Sequence, residues 1–354
     1  MVKLAVGPQC NIPPIPGGRA PTQRCKVNSP RTQYRALRPS VVGKAVSVAA
    51  GLAVTAAGAA LLNRWLAKRA EDRNPPIGRF ITVAGVRLHY VDRGTGTPLI
   101  LLHGNGSMIE DFQSSGLINS AAKSYRVIAF DRPGFGHSNR PRSVTWTPQA
   151  QADLLAAALK KLGVSNPIVL GHSWGTLVAI AFATRYRHEV QAIILVSGYY
   201  YPSARIDLTF LSLPALPVIG DIMSHTISPI LARLIWPRLL RRIFWPAPIP
   251  KKFQKFPEEM AVRPSQLRAA AAESALMNPA ARALRDDYRQ LKTPVSIVAG
   301  AEDQFVESEQ SNQLSREISH SMLSKIPANG HMLHQTATAE ILNAIDTVAG
   351  RRGP

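Results

Sequence analysis

From residue 79 onward the chain alternates short apolar runs with longer amphipathic stretches. Arg79–Val83 and Val86–Val91 flank Ala84-Gly85, which predicts a β-hairpin. Pro98–Leu102 is apolar at nearly every position, as expected of a strand buried on both faces. The same pattern recurs at Arg126–Phe130, Pro167–Leu170, Ala192–Val196 and Pro294–Ala299, and Ser321–Ile326 reads as a last strand. Helical periodicity fills the intervals. Thr147-Pro148 caps and opens a helix running to about Leu162 before Gly163. Gly175–Tyr186 and Ala337–Val348 predict two more. Strands that alternate with helices predict an α/β fold, a mostly parallel central sheet with helices on both faces.

Two regions depart from this rhythm. Residues 199–290 separate two strands by a long, mostly helical pattern broken by Pro202, Pro214, Pro217, Pro229, Pro237, Pro246, Pro248 and Pro250. They read as a helical cap over the sheet edge, inserted into a core of residues 78–198 and 291–350. At the other end, Ala45–Leu62 carries no charge. As a helix it spans roughly 27 Å, near the ~30 Å of a bilayer's hydrocarbon. Asn63-Arg64-Trp65 then supplies an interfacial aromatic and a cation. A membrane anchor over residues 41–63 is the favoured reading. A signal peptide and a buried helix stay open, although the basic stretch before the run is too long for an ordinary signal peptide. Residues 64–77 read as a charged linker ending at Pro75-Pro76, and residues 1–40, rich in Pro, Gly, Arg and Gln, as a disordered basic tail. The prolines argue against an amphipathic transit peptide. Arg31, Arg35, Arg38 and Lys44 precede the run and Arg64, Lys68 and Arg69 follow it, which leans toward a catalytic domain on the non-cytoplasmic side.

Charge supports this partition. The formal net charge is +20, yet residues 1–70 hold eleven Lys/Arg and no Asp or Glu. That leaves 31 of the 42 basic side chains against all 22 acidic ones over the rest of the chain. Such a balance favours anionic surfaces. No helix-turn-helix, zinc-finger or RNA-binding signature accompanies it, so nucleic acid is not an expected partner. The only cysteines, Cys10 and Cys25, lie in the tail, and no Cys/His group has metal-ligand spacing. Neither a metal nor another cofactor is expected. Within the cap, Ile222–Pro257 contains no Asp or Glu. There Arg238, Arg241, Arg242, Lys251, Lys252 and Lys255 mix with Leu239, Leu240, Ile243, Phe244, Trp245, Phe253 and Phe256. This composition suits either an anionic lipid surface or a cap helix packed on the core with its cations in water.

The candidate chemistry centres on Gly171-His172-Ser173-Trp174-Gly175, a Gly-x-Ser-x-Gly pattern between a strand and a helix. A tight turn there lifts the hydroxyl clear of the sheet and sets it at a helix N-terminus. At this point the chain resembles the α/β-hydrolase family over about residues 78 to 350. His103-Gly104-Asn105-Gly106 is similar to the family's oxyanion loop. Asp131-Arg132-Pro133-Gly134-Phe135-Gly136-His137-Ser138 is similar to a further loop of the family, Gly300-Ala301-Glu302-Asp303 to its acid loop, and Asn329-Gly330-His331 to its histidine loop.

The resemblance implies a triad of Ser173 as nucleophile, His331 as base and Asp303 as acid, with oxyanion donors on the backbone of Asn105 and Trp174. Glu302 is a rival for Asp303. His334, His103, His172 and His137 read as loop-holding residues, and His89, His188, His225 and His320 as surface or packing residues. A serine at position 173 sets the chain apart from the capped dehalogenases and epoxide hydrolases of the family, which use aspartate there. The expected activity is hydrolysis of a small, hydrophobic carboxylic ester through an acyl-enzyme. Carbon–carbon bond hydrolysis and cofactor-free perhydrolysis use the same triad and remain open, as does a non-catalytic, membrane-tethered ligand-binding protein.

Overall fold

The computed structural model describes residues 39–203 and 212–351. The tail expected over residues 1–40 lies outside them except for its last two positions. Eight strands form one sheet in the order β1-β2-β4-β3-β5-β6-β7-β8. These are β1 (Arg79–Val83), β2 (Val86–Arg93), β3 (Pro98–Leu102), β4 (Arg126–Phe130), β5 (Ile168–His172), β6 (Ala192–Val196), β7 (Val295–Gly300) and β8 (Met322–Ile326). The β1–β2 and β2–β4 pairs are antiparallel and all others parallel. Ala84 and Gly85 both take positive φ, 48° and 75°, the turn geometry that suits the twist of a two-residue hairpin.

The apolar runs are continuous because both faces are covered. Ile100, Leu102, Ile128, Phe130, Val169, Ile193 and Leu195 belong to one buried cluster. Their neighbours Leu99, Leu101, Val127, Ala129, Ile168, Leu170 and Ile194 belong to another. Successive side chains of a strand point to opposite faces, so two clusters require apolar residues at both parities. Helices α4 (Pro148–Lys161) and α5 (Trp174–Arg185) cover the first face. Thr147 caps α4 by accepting the Ala150 N–H, as its Thr-Pro start predicts. The second face packs against α2 (Ile109–Ser115) and α3 (Leu117–Ala121), two short helices that the periodicity did not reveal.

Strand β3 lies between β4 and β5, so the chain turns to opposite sides of the sheet after β3 and after β4. The crevice beyond the C-terminal ends of β3 and β5 is therefore the switch point at which open α/β sheets bind ligands.

Between β6 and β7 the described chain is helical: α6 (Ile219–His225), α7 (Ser228–Phe244), α8 (Glu258–Ala261) and α9 (Pro264–Leu284). Helices α10 (Ser308–Glu317), α11 (Leu333–Thr336) and α12 (Thr338–Val348) complete the order.

The N-terminal helix α1 runs from Pro39 to Arg73, further than the sequence reading allowed. Residues 64–73, expected as linker, form its last turns. They contain no Gly or Pro, and Lys68 pairs with Asp72 one turn on at 2.8 Å. Pro75-Pro76 then ends the helix. Val42–Arg73 is by length and composition a candidate membrane span, and its most apolar 18-residue window has a mean hydropathy of 2.0.

Candidate active site

Ser173 occupies the turn between β5 and α5 with φ 52° and ψ −119°, a region that side-chain-bearing residues rarely adopt. Strain of this kind costs on the order of 1–3 kcal/mol and persists only where the surroundings impose it. Here the imposition is steric. A Cβ on Gly171 would lie 2.3 Å from the Gly175 carbonyl oxygen, and one on Gly175 would lie 2.3 Å from that of Leu102. Both flanking positions therefore need glycine for β5, α5 and β3 to meet.

The 103–106 loop reaches the same point from β3. A Cβ on Gly104 would stand 3.1 Å from the Cβ of Ser173, so the 103–106 loop lies directly against the serine. Among the described residues, neither the Asn105 nor the Trp174 backbone N–H has a backbone partner. The Asn105 side chain is held by α9, donating to the Ala270 carbonyl at 3.1 Å and to Ser274 Oγ at 3.2 Å. Its backbone donor thereby has a fixed direction.

Asp303 and His331 come together from the ends of β7 and β8. His331 Nδ1–H donates to Asp303 Oδ2 at 2.7 Å. The other carboxylate oxygen of Asp303 accepts the backbone N–H groups of Phe305 and Val306 at 2.8 and 2.9 Å. Glu302, the rival acid, instead accepts the Asn329 N–H at 3.2 Å and clamps the two loops together. His331 also donates its own backbone N–H to the Ile243 carbonyl of α7 at 3.0 Å. Ser173, Asp303 and His331 are all buried. Among the described residues the Ser173 hydroxyl makes no hydrogen bond to the His331 imidazole.

Behind the triad lies a buried histidine group. His172 Nε2–H donates to the His331 carbonyl at 3.0 Å, and its ring lies 4.4 Å from that of His334. His334 Nε2 in turn stands 2.9 Å from Asp111 Oδ1. Burial drives the His172 imidazole well below its usual range. Burial opposes the Asp111 carboxylate, but the neighbouring His334 imidazole, with help from His172 and Gln335, holds it below the usual range. Asp111, His172 and His334 form a trio whose ligand atoms lie within 4.8 Å of one another. Residues so far apart in sequence leave no metal-ligand spacing to read. Two of these contacts, Asp111–His334 and His172–His331, already have the lengths of hydrogen bonds.

The remaining sequence candidates hold loops. His103 Nδ1–H donates to the Gly104 carbonyl at 2.8 Å and its Nε2 accepts the Arg132 N–H at 2.9 Å. Burial, then the Arg132 charge, lowers it to about 3. His89 is fully buried, 2.7 Å from Asp131. His137 bonds the Asn74 carbonyl at 3.0 Å.

The pattern of the sequence missed an ion pair. Arg132 donates to the His103 and Gly104 carbonyls at 2.8 and 2.9 Å and pairs with Glu273 of α9 through both carboxylate oxygens. Gln151 donates to Glu273 at 3.0 Å. A lone carboxylate in the alanine-rich stretch Ala269-Ala270-Ala271-Ala272-Glu273 was the only available signal. Separately, a cavity of about 880 Å³ opens between residues 134–146 and α9. Arg87, Arg140, Arg142, Arg263 and Arg268 line it, and none of the triad does.

Comparisons with known proteins agree with this architecture. The family model described as alpha/beta hydrolase fold matches residues 97–338. A 2-hydroxymuconate semialdehyde hydrolase of Pseudomonas sp. (strain CF600) is 34% identical over 136 residues, 38% of this chain and 48% of that enzyme, so the match spans about half the relative's length. A 2-hydroxy-6-oxo-2,4-heptadienoate hydrolase of Pseudomonas putida is 24% identical over 262 residues, 73% of this chain and 91% of that enzyme. Among solved structures, a thermophilic esterase from Thermogutta terrifontis aligns with a TM-score of 0.63 at 23% identity, covering 77% of this chain and 99% of its own. The chain belongs to the alpha/beta hydrolase fold family.

Proposed function

We propose that the protein is a serine hydrolase that cleaves a carboxylic ester, with Ser173, His331 and Asp303 as its triad. The observation that carries this is the 2.7 Å bond from His331 to Asp303, set in the loop next to a serine in elbow geometry. A serine hydroxyl is a weak nucleophile until a base takes its proton. In this reading His331 Nε2 removes that proton as Ser173 Oγ bonds to the substrate carbonyl carbon. Asp303 keeps the Nδ1 tautomer and stabilises the imidazolium. The negative oxygen of the tetrahedral intermediate is met by the Asn105 and Trp174 N–H groups. Collapse breaks the ester C–O bond, and His331 returns its proton to the departing alkoxide. A water, deprotonated by His331, then attacks the acyl-enzyme and frees Ser173 and the acid.

Hydrolysis of a carbon–carbon bond in a keto acid is a second reading, favoured by the two hydrolases to which the sequence is similar. It runs on the same triad but delivers the proton to carbon. Turnover of p-nitrophenyl esters of graded chain length, set against a vinylogous 1,5-diketo acid, separates the two. Faster cleavage of the diketo acid overturns the ester reading.

We also infer that α1 anchors the chain in a membrane. The support is its length, its hydropathy and the exposure of its apolar side chains Leu52, Val54, Leu61 and Leu62. Co-flotation of the full chain with vesicles through alkaline carbonate tests this, and release by carbonate contradicts it.

A further inference from the structure

The basic, aromatic stretch Ile222–Pro257 does not behave as one surface. Phe244, Phe253 and Phe256 turn inward and pack with Met108, Met260 and Met332 beside the 331 loop. Most of the exposed large apolar side chains lie earlier, among them Val218, Ile219, Ile222, Ile230, Leu231 and Leu234, each between 46% and 70% exposed, while Trp245 and Ile249 are exposed further on. Large apolar side chains left in water at such density are costly and mark a contact site.

The spacing along α7 gives this surface a direction. Ile227, Leu231 and Leu234 recur at helical intervals of four and three, so they share one stripe. The same intervals continue to Arg238 and Arg241, both exposed. One face of one helix thus begins apolar and ends cationic. That is the profile of a helix lying obliquely in a membrane interface, with its first half in the acyl region and its last turns at anionic headgroups.

A second, independent contact joins this surface to α1. Asn63, only 2% exposed, donates through Nδ2 to the His225 and Thr226 carbonyls, each at 2.9 Å. These carbonyls end α6, where a helix leaves acceptors without internal partners. Asn63 is also the first polar residue after the uncharged run Ala45–Leu62. The residue that marks the end of the apolar run therefore grips the corner from which α7 begins.

We propose that the outer face of α6 and α7 docks into the lipid bilayer beside α1, so that the enzyme takes a membrane-resident lipophilic ester rather than one from solution. The proposal rests on the anchor reading of α1. Phospholipid is the committed occupant, because a stripe that changes from apolar to cationic matches the acyl-to-headgroup gradient. A protein partner would need no such gradient.

The test uses the full chain with Cys10 and Cys25 replaced by Ser. An environment-sensitive fluorophore is placed at Ile222→Cys, Leu231→Cys or, as control at the opposite end of the sheet, Lys123→Cys. The chain is reconstituted in phosphatidylcholine vesicles containing a minority of phosphatidylglycerol, with and without brominated acyl chains. Docking predicts that the labels at 222 and 231 are blue-shifted and lose most of their emission to the brominated lipid, while the label at 123 does neither. Co-flotation without quenching at 222 and 231 overturns docking and leaves the anchor standing. A blue shift without quenching assigns the face to a second copy of the chain, which also overturns it. A chain that does not float overturns both readings. Leu231→Glu with Leu234→Glu should slow cleavage of a vesicle-embedded long-chain ester and leave that of a short soluble ester unchanged. Equal effects on both esters would contradict the proposal.

Discussion

His172 donates its Nε2 hydrogen to the main-chain carbonyl of His331 across 3.0 Å, so the residue before the serine holds the backbone of the histidine that would serve it. The Asp111–His334 pair packs behind it and keeps that ring in place. Three segments far apart in sequence thereby meet behind the His331 backbone, next to Ser173.

Removing this support should impair turnover more than binding. Misplacement of a reacting group by about 1 Å can cost on the order of a hundredfold in rate. We expect His172→Ala to lower kcat roughly 10–100-fold while KM changes little, since the loss is of alignment. Steady-state kinetics on the preferred ester checks this. A rise in KM at constant kcat would mean that His172 shapes the substrate pocket instead.

Acid should destabilise the fold early, through histidine rather than carboxylate. His103 is held neutral down to about pH 3, against an ordinary value of 6.5. Between those values the unfolded chain binds a proton that the folded chain refuses, so stability is full above pH 6.5 and falls as pH drops below it. The slope for one such group is about 1.4 kcal/mol per pH unit. His172, also lowered, adds to it in the same direction. Denaturant unfolding at neutral and mildly acidic pH should show this loss, and His103→Gln should flatten it. An unchanged slope in that variant would refute the assignment.

The pair between Arg132 and Glu273 links the 103–106 loop to α9 inside the protein. Breaking a buried pair by removing one partner leaves an uncompensated charge and typically costs about 3–5 kcal/mol. Glu273→Ala should lose about that much stability, together with activity, because Gly104 then loses its restraint. Replacing both partners, as Arg132→Met with Glu273→Leu, should recover most of the stability but not the activity. Thermal melts alongside turnover separate the two effects.

Much of the fold could be read from apolar runs because a sheet covered on both faces leaves little else to fit, and β1, β3, β4 and β6 fall where those runs lie. The pairing of His331 with Asp303 is implied by the resemblance of the 300–303 and 329–331 loops to those of the family, and the two side chains meet at 2.7 Å. Contacts between distant segments left no local mark. Asp111, His172 and His334 meet only through folding, and so do Arg132 and Glu273. The same limit explains Phe244, Phe253 and Phe256. Their mixture with lysine and arginine suits a lipid-facing surface and a packed helix alike, and only the packing against Met108 and Met332 shows that these three rings turn inward. Helix α2 escaped notice because only seven residues separate Met108 from Gly116, too few for a helical period to emerge.

In the proposed mechanism everything turns on Ser173 being an activated nucleophile. Labelling of the full chain with a fluorophosphonate tests it most directly, with wild type compared with Ser173→Ala and His331→Ala at equal folded concentration. The expected result is one label per wild-type chain, at Ser173, none on Ser173→Ala, and labelling slowed roughly a hundredfold or more on His331→Ala, the scale on which a general base acts. Labelling that survives Ser173→Ala, or a folded wild-type chain that resists the probe, would contradict it.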